Sequence, residues 1–393
     1  FERASHQLRC LIEDPVATID ATLEAAPAMA MAHVLRAWLF LLGTEPDGIA
    51  EARASTTAAG PLATTDRERR HVSALSELAE GRWHRASREL EDLSIHYPRD
   101  ALALQAGHQV DFFTGNARLL RDRLARALPA WDADRPGYHA LLGMHAFGLE
   151  ETGHYDAAER SGREAVEREP RDSWAWHAVA HVHEMRNAPE DGIRWLGDNE
   201  ATWATDSFLA VHNHWHLALY HLERDDHAAV LERYDRAIGG PGSSVVLDLI
   251  DASALLWRLQ LRGVDVGERW QALADRWAPL AGAGLYAFND LHAVLAFTGA
   301  GRHDDLEPAP GDGRADGTGP RQPQLHDRSR PSGGPGDHRL WRRGLSRGGP
   351  AAAAAAANRP SLRRQSCPAR PARSDPARGG AARRRGSPGD RAG

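Results

Sequence analysis

From residue 1 to about residue 301 the chain is interrupted at a regular interval, and that interval limits the folds open to it. The interruptions are Gly43-Thr44-Glu45-Pro46, Gly81-Arg82-Trp83, Gly115-Asn116, Gly153-His154-Tyr155, Arg186-Asn187-Ala188-Pro189, Arg224-Asp225-Asp226 and Gly299-Ala300-Gly301. Successive ones fall 34 (115 − 81), 38 (153 − 115), 34 (187 − 153) and 38 (225 − 187) residues apart. Between them Ala, Leu, Glu and Arg dominate and β-branched alternation is almost absent, which favours helix over strand. Each interval holds two helices and a turn. A unit of that size cannot bury its apolar face alone, so successive units must stack. The expected fold class is all-α, an α-solenoid of helical hairpins.

The clearest copy runs Gly153-His154-Tyr155-Asp156-Ala157-Ala158, then Ala165, then Pro170; a second runs Gly81-Arg82-Trp83, Ala86, Leu93, Pro98. Glycine turns the hairpin, an aromatic residue and small alanines let its helices close up, and proline ends the second helix. A period near 34 with these residues is the signature of the tetratricopeptide repeat. The expected domain is a tetratricopeptide-like repeat over residues 1–306.

Two stretches stand out within it: Trp174-Ala175-Trp176-His177-Ala178-Val179-Ala180-His181-Val182-His183-Glu184-Met185, and His212-Asn213-His214-Trp215-His216-Leu217-Ala218-Leu219-Tyr220-His221. Residues four apart share a helical face, so His177 pairs with His181 and His212 with His216. Phasing from the turns at Asn187 and Asp225 places His177, His181 and Glu184 on one inner helix, and His212, Trp215 and His216 on the next. The same phasing from Gly301 puts Asp290 and His292 on a later inner helix. Asp251 and Arg258 lie seven apart on one helical face, and His108 and Asp111 three apart. Each of these two pairs reads first as a salt-bridged or solvated pair. Trp38, Trp131, Trp195, Trp203 and Trp270 read as packing residues.

The run from Ala157 to Leu222, with its two His-rich stretches, resembles the tetratricopeptide-repeat protein 38 family. Supporting stretches are Ala30-Met31-Ala32-His33 to Gly43, Asp251 to Arg258, and Phe288-Asn289-Asp290-Leu291-His292. The resemblance covers residues from near 1 to about 301. It implies helical repeats and carries over no reaction.

Three roles are open to the candidate residues His177, His181, Glu184, His212, Trp215, His216, Asp251, Asp290 and His292. They can fill helix–helix contacts as satisfied core groups. They can line a concave groove that binds a protein, peptide or small-molecule ligand, and this is the first expectation; a peptide-carboxylate clamp is disfavoured because the groove is histidine-rich and acidic. The alternative is a hydrolase-type or metal-dependent enzyme. Neutral imidazole is the commonest metal ligand, so His177, His181, Glu184 and His216 could hold a divalent ion such as zinc, although no cofactor is required by the sequence. Catalytic residues are not specified. A zinc-protease His-Glu-x-x-His, a nucleophile elbow, and convincing phosphate or dinucleotide loops are missing.

Composition narrows the setting. No run of eighteen apolar residues suggests a membrane span, two cysteines (Cys10 and Cys367) are too few for a disulfide framework, and a cytoplasmic protein is expected. The start at Phe1, with no secretory signal, reads as truncated or processed. Residues 1–301 carry 29 Arg against 45 Asp and Glu, and residues 302–393 carry 19 against 9. All 48 basic residues are arginine, as a GC-rich coding sequence gives. Past about residue 306, Gly, Pro, Arg and Ala replace the helical composition, so residues 307–393 are expected to be a disordered tail. We read that tail as out-of-frame translation. Shifted by one base, codons for Pro331–Gly349 can give a Gly-Asp-Tyr-x-x-Ala repeat turn. Codons for Arg363–Ala381 can give Gly-Gly-Ser-His-Ala-Gln-Arg-Asp, similar to the C-terminus of the resembled family. On that reading the tail's positive charge implies no nucleic-acid partner.

Overall fold

The computed structural model describes residues 1–240 and 242–306. The expectations for residues 307–393 lie outside the described residues. Those described are all-helical, with a single isolated β-bridge between Ile12 and Ser207. Eighteen α-helices follow one another: α1 (Glu2–Cys10), α2 (Pro15–Ala25), α3 (Ala30–Leu42), α4 (Gly48–Leu62), α5 (Asp66–Ala79), α6 (Trp83–His96), α7 (Ala101–Phe113), α8 (Ala117–Ala127), α9 (Tyr138–Glu151), α10 (Tyr155–Arg168), α11 (Ser173–Met185), α12 (Pro189–Gly197), α13 (Glu200–Trp203), α14 (Ala210–Glu223), α15 (His227–Arg233), α16 (Val246–Leu261), α17 (Arg269–Trp277) and α18 (Ala287–Gly299). None is long and apolar enough to cross a membrane.

The sequence interval has a backbone cause. Gly81, Gly115, Gly153, Asn187, Asp225, Gly263 and Gly301 all have φ between 53° and 81°. At each, the helix closes with the same two bonds: Gly153 N–H donates to Glu150 O (2.8 Å) and His154 N–H to Leu149 O (2.8 Å), and the other turns repeat the pattern. These are Schellman closures, which satisfy the last carbonyls of a helix by placing one left-handed residue after it. Gly263 is a turn that the interruption pattern passes over. With it, the later spacings become 38 (263 − 225) and 38 (301 − 263).

From α7 onward, the helix before each turn (α7, α9, α11, α14 and α16) is the more deeply buried member of its hairpin. In α9 ten of fourteen residues are buried, whereas in its partner α10 three of fourteen are. Small residues set the spacing between layers. Ala158 and Ala165 are fully buried, and a Cβ on Gly162 would sit 2.5 Å from Val179 Cγ2. On Gly148 it would lie 2.5 Å from the backbone of Leu120, so α9 and α8 touch main chain to side of helix. The tryptophans expected to pack do so: Trp38 and Trp203 are fully buried, and the Trp131, Trp195 and Trp203 indoles each donate to a backbone carbonyl.

The N-terminal segment runs across the starts of three inner helices. Gln105 of α7 donates to Leu8 O (2.8 Å), Arg171 pairs with Glu13 (2.9 Å), Glu13 N–H donates to Asp206 O, and Phe208 N–H to Leu11 O. Contacts far apart in sequence also join early hairpins to late ones. Val246 N–H donates to Glu45 (2.8 Å) and the Tyr286 hydroxyl to Phe113 O (2.9 Å).

Candidate metal centre

Helices α11 and α14 are anchored before they are functional. Asp172 caps α11 by accepting from Ala175 N–H at 3.0 Å. Tyr220 of α14 fixes the pair by donating to Ala180 O of α11 at 2.6 Å, a bond shielded from water at both ends. With the helices side by side, the two i, i+4 histidine pairs face each other. His177, His181, His212 and His216 can each offer one ring nitrogen such that all four lie within 4.8 Å of one another. Ring centroids are 4.4 Å apart for His177 and His181, 4.5 Å for His181 and His216, and 4.7 Å for His177 and His212.

Carboxylates from three helices hold the outer sides of the rings. Asp251 of α16 meets His212 Nδ1 at 2.9 Å, Glu184 of α11 meets His216 Nδ1 at 3.0 Å, and Glu150 of α9 meets His181 Nδ1 at 3.4 Å. Hydrogen bonds from Nδ1 to Asp251 and to Glu184 keep the proton there on His212 and His216, so these two rings turn an Nε2 lone pair inward, while Glu150 approaches His181 as an ion-pair partner. His216 Nε2 and His177 Nδ1 are buried and have no hydrogen-bond partner among the described residues. His212 Nε2 and His177 Nε2 stand 3.0 Å apart. A tetrahedral ion bound at about 2.0–2.1 Å separates its ligand atoms by about 3.3 Å, close to that spacing.

Electrostatics keep two of the rings neutral and ready to ligate. Burial, reinforced by the neighbouring histidines, keeps the His177 imidazole neutral well below its ordinary range and brings His216 down to about 3. Burial opposes charge on His181 too, but Glu150 and its acidic neighbours outweigh it and move this ring upward. Glu184 loses solvation, yet the hydrogen bond and charge of His216 hold it at about 2. Aromatic rings wall the cluster: Phe147 stacks on His177 at 5.3 Å and Trp215 on His212 at 5.5 Å. His216 is 1% exposed, whereas the side chains of His181 and His212 are 22% and 29% exposed, so the cluster is open on their side.

The structure thus gathers seven of the nine sequence candidates. One role changes: Glu184 stands behind His216, and His212 takes the fourth place in the donor set. Asp251 binds His212 instead of pairing with Arg258, whose guanidinium lies over the Trp215 ring at 5.1 Å. His292 is buried against its own helix, with Nδ1 2.8 Å from Phe288 O, and feels the Asp251 charge from outside the cluster. Asp290 lies elsewhere, in a hollow with Pro46, Val246 and Trp277. On α7, Asp111 accepts from buried Arg123 at 2.8 Å and from Ser87, which makes it structural. Sequence reading missed Glu150 and Phe147 altogether. Both sit on α9 at i, i+3, on the face that meets α11, and the repeat phasing from Gly153 could have flagged them. No protein-family model matches the chain.

Proposed function

We propose that this protein is a metal-dependent enzyme of the hydrolase type, built on tetratricopeptide-like hairpins, with His177, His181, His212 and His216 holding one divalent ion such as zinc. The observation that carries this reading is convergence. Four imidazoles from two inner helices meet in one place, and three of them are backed by carboxylates from three helices. A ligand groove would need such residues strung out along successive hairpins. A core filled by satisfied histidines would give the inward Nε2 of His216 a partner, and it has none among the described residues. An ion bound here supplies Lewis acidity and a water of lowered pKa. The exposed sides of His181 and His212 give a substrate its approach. Arg258, exposed beside Trp215 and near Glu184, supplies a cation for an anionic substrate group.

The test is metal analysis of the full chain after zinc loading and gel filtration, together with turnover of nitrophenyl ester and phosphodiester probes. Wild type is expected to hold one more zinc ion per chain than His216→Ala or His212→Ala, and chelation is expected to abolish turnover until zinc is restored. His212 is part-exposed, so its variant guards against a folding defect at His216. Equal zinc content in wild type and both variants would overturn the reading.

A further inference from the structure

A second group of metal-ligating side chains lies away from the four imidazoles, where the N-terminal helix crosses the inner helices. His6 and Cys10 are four apart on α1 and share a face. His139 opens α9, and Glu169 lies between α10 and α11. One donor atom from each of these four residues lies within 4.8 Å of the others. Cys10 Sγ is 3.8 Å from His6 Nδ1, and His6 Nε2 is 3.8 Å from Glu169 Oε2.

Two features separate this group from a chance meeting of polar residues. His139 Nδ1 is 2.8 Å from Asp172, the same carboxylate that caps α11, so its proton and ring orientation are fixed from outside. Its Nε2 is then a lone pair, and that atom is buried with no partner among the described residues; the residue is 9% exposed. Cys10 is a fully buried free cysteine.

We propose that His6, Cys10, His139 and Glu169 form a second, structural zinc site that staples α1 to α9 and to the connection between α10 and α11. The donor set suits zinc: one thiolate, two imidazoles and one carboxylate, closed at four ligands. On binding, Cys10 loses its proton to solvent and the ion gains an Sγ bond. Asp172 is the positioning residue that orients His139. The role differs from that of the four-imidazole cluster. That cluster has no thiolate and joins two neighbouring inner helices, whereas this group holds a buried cysteine and ties residues 6 and 10 to residues 139 and 169. Its zinc would add to the hydrogen bonds from Gln105 and Arg171 that already hold the segment.

Cobalt(II) reports the two sites separately, because only a thiolate ligand gives an intense sulfur-to-cobalt charge-transfer band in the near ultraviolet. The full chain carrying Cys367→Ser, which leaves Cys10 as its one thiol, is titrated from the apo state. The band is expected to appear, to persist in His216→Ala, and to vanish in Cys10→Ala together with one metal equivalent. Glu169→Gln and His6→Ala, at part-exposed positions, are expected to weaken cobalt binding by more than the 10- to 100-fold typical when a group that only orients a ligand is lost, with the helical circular dichroism unchanged. Absence of the band in the Cys367→Ser protein, or equal metal content with and without Cys10, would overturn the proposal whatever the outcome at the four-imidazole cluster.

Discussion

Two buried histidine sites in this chain are built from similar parts and end differently. In the first, His71 of α5 is fully buried, its Nδ1 accepts from the Trp38 indole at 3.2 Å, and its Nε2 meets Asp100 at 2.9 Å. Asp100 also takes Arg67 at 2.6 Å and caps α7. Burial works against the Asp100 charge, but His71 and Arg67 overcome it and hold that carboxylate below the usual range. Both ring nitrogens are used, so the unit is closed. In the second, the rings of α11 and α14 have carboxylates on their outer sides, while the inward Nε2 of His216 lacks a partner and the His177 and His212 Nε2 atoms face each other at 3.0 Å. Burial alone therefore does not separate a structural histidine from a ligand. Nor does a partnerless nitrogen by itself, since both ring nitrogens of buried His108 lack a partner among the described residues; the convergence of several rings on one point does.

The comparison can be broken in four ways. The largest effect expected is in zinc-linked stability. At a thousandfold excess over its dissociation constant, an ion bound only by the native state adds about 4 kcal/mol. Urea titration with and without zinc should show that increment in wild type and a smaller one in His212→Ala. His71→Ala should behave in the opposite way, losing about 3 kcal/mol by opening a cavity, leaving the Trp38 indole without its acceptor and taking one of the partners of buried Asp100, with or without zinc. If zinc rescued that loss, the closed unit would not be structural.

A smaller effect is expected behind the rings. Glu184→Gln and Asp251→Asn each remove one outer carboxylate, and should weaken zinc binding about 10- to 100-fold by competition with a chromophoric chelator. The smallest effect concerns His108, which is buried edge-on to Phe147 and Trp174 and is pushed down to about 3 by burial first and the Arg123 charge second. Its folded value lies below its unfolded one, so the unfolded chain binds the proton first as pH falls. Its stabilising contribution is present above about pH 6.5 and is lost on the way down toward pH 3. Between pH 6.5 and 5.5 the loss is about 1 kcal/mol. His108→Leu should flatten the acid side of a stability–pH curve by that amount, and an unchanged slope would show that this ring does not titrate differently on folding.

Much of the fold can be read in the chain because its turns need residues tolerant of positive φ. Gly81, Gly115, Gly153, Asn187 and Asp225 are such residues, and their spacing survives as a pattern. Gly263 has the same conformation but follows an undistinguished Leu261-Arg262, so nothing local marked it. The pairing of His177 with His181 and of His212 with His216 was equally local, since one helical turn sets it. Asp251 was noticed for its spacing to Arg258, which proved the wrong partner. It belongs to His212, 39 residues earlier.

By itself, the sequence determined the helices, the hairpin interval and which histidines share a face, because each of those depends on residues a turn or a repeat apart. Only the tertiary structure decided that α11 and α14 turn those faces toward each other. It alone brought Glu150 and Asp251 behind the rings and set His6 and Cys10 against His139 and Glu169. Those meetings arise from how stacked hairpins and the crossing N-terminal helix bury their shared surfaces, and burial couples residues without regard to their distance along the chain.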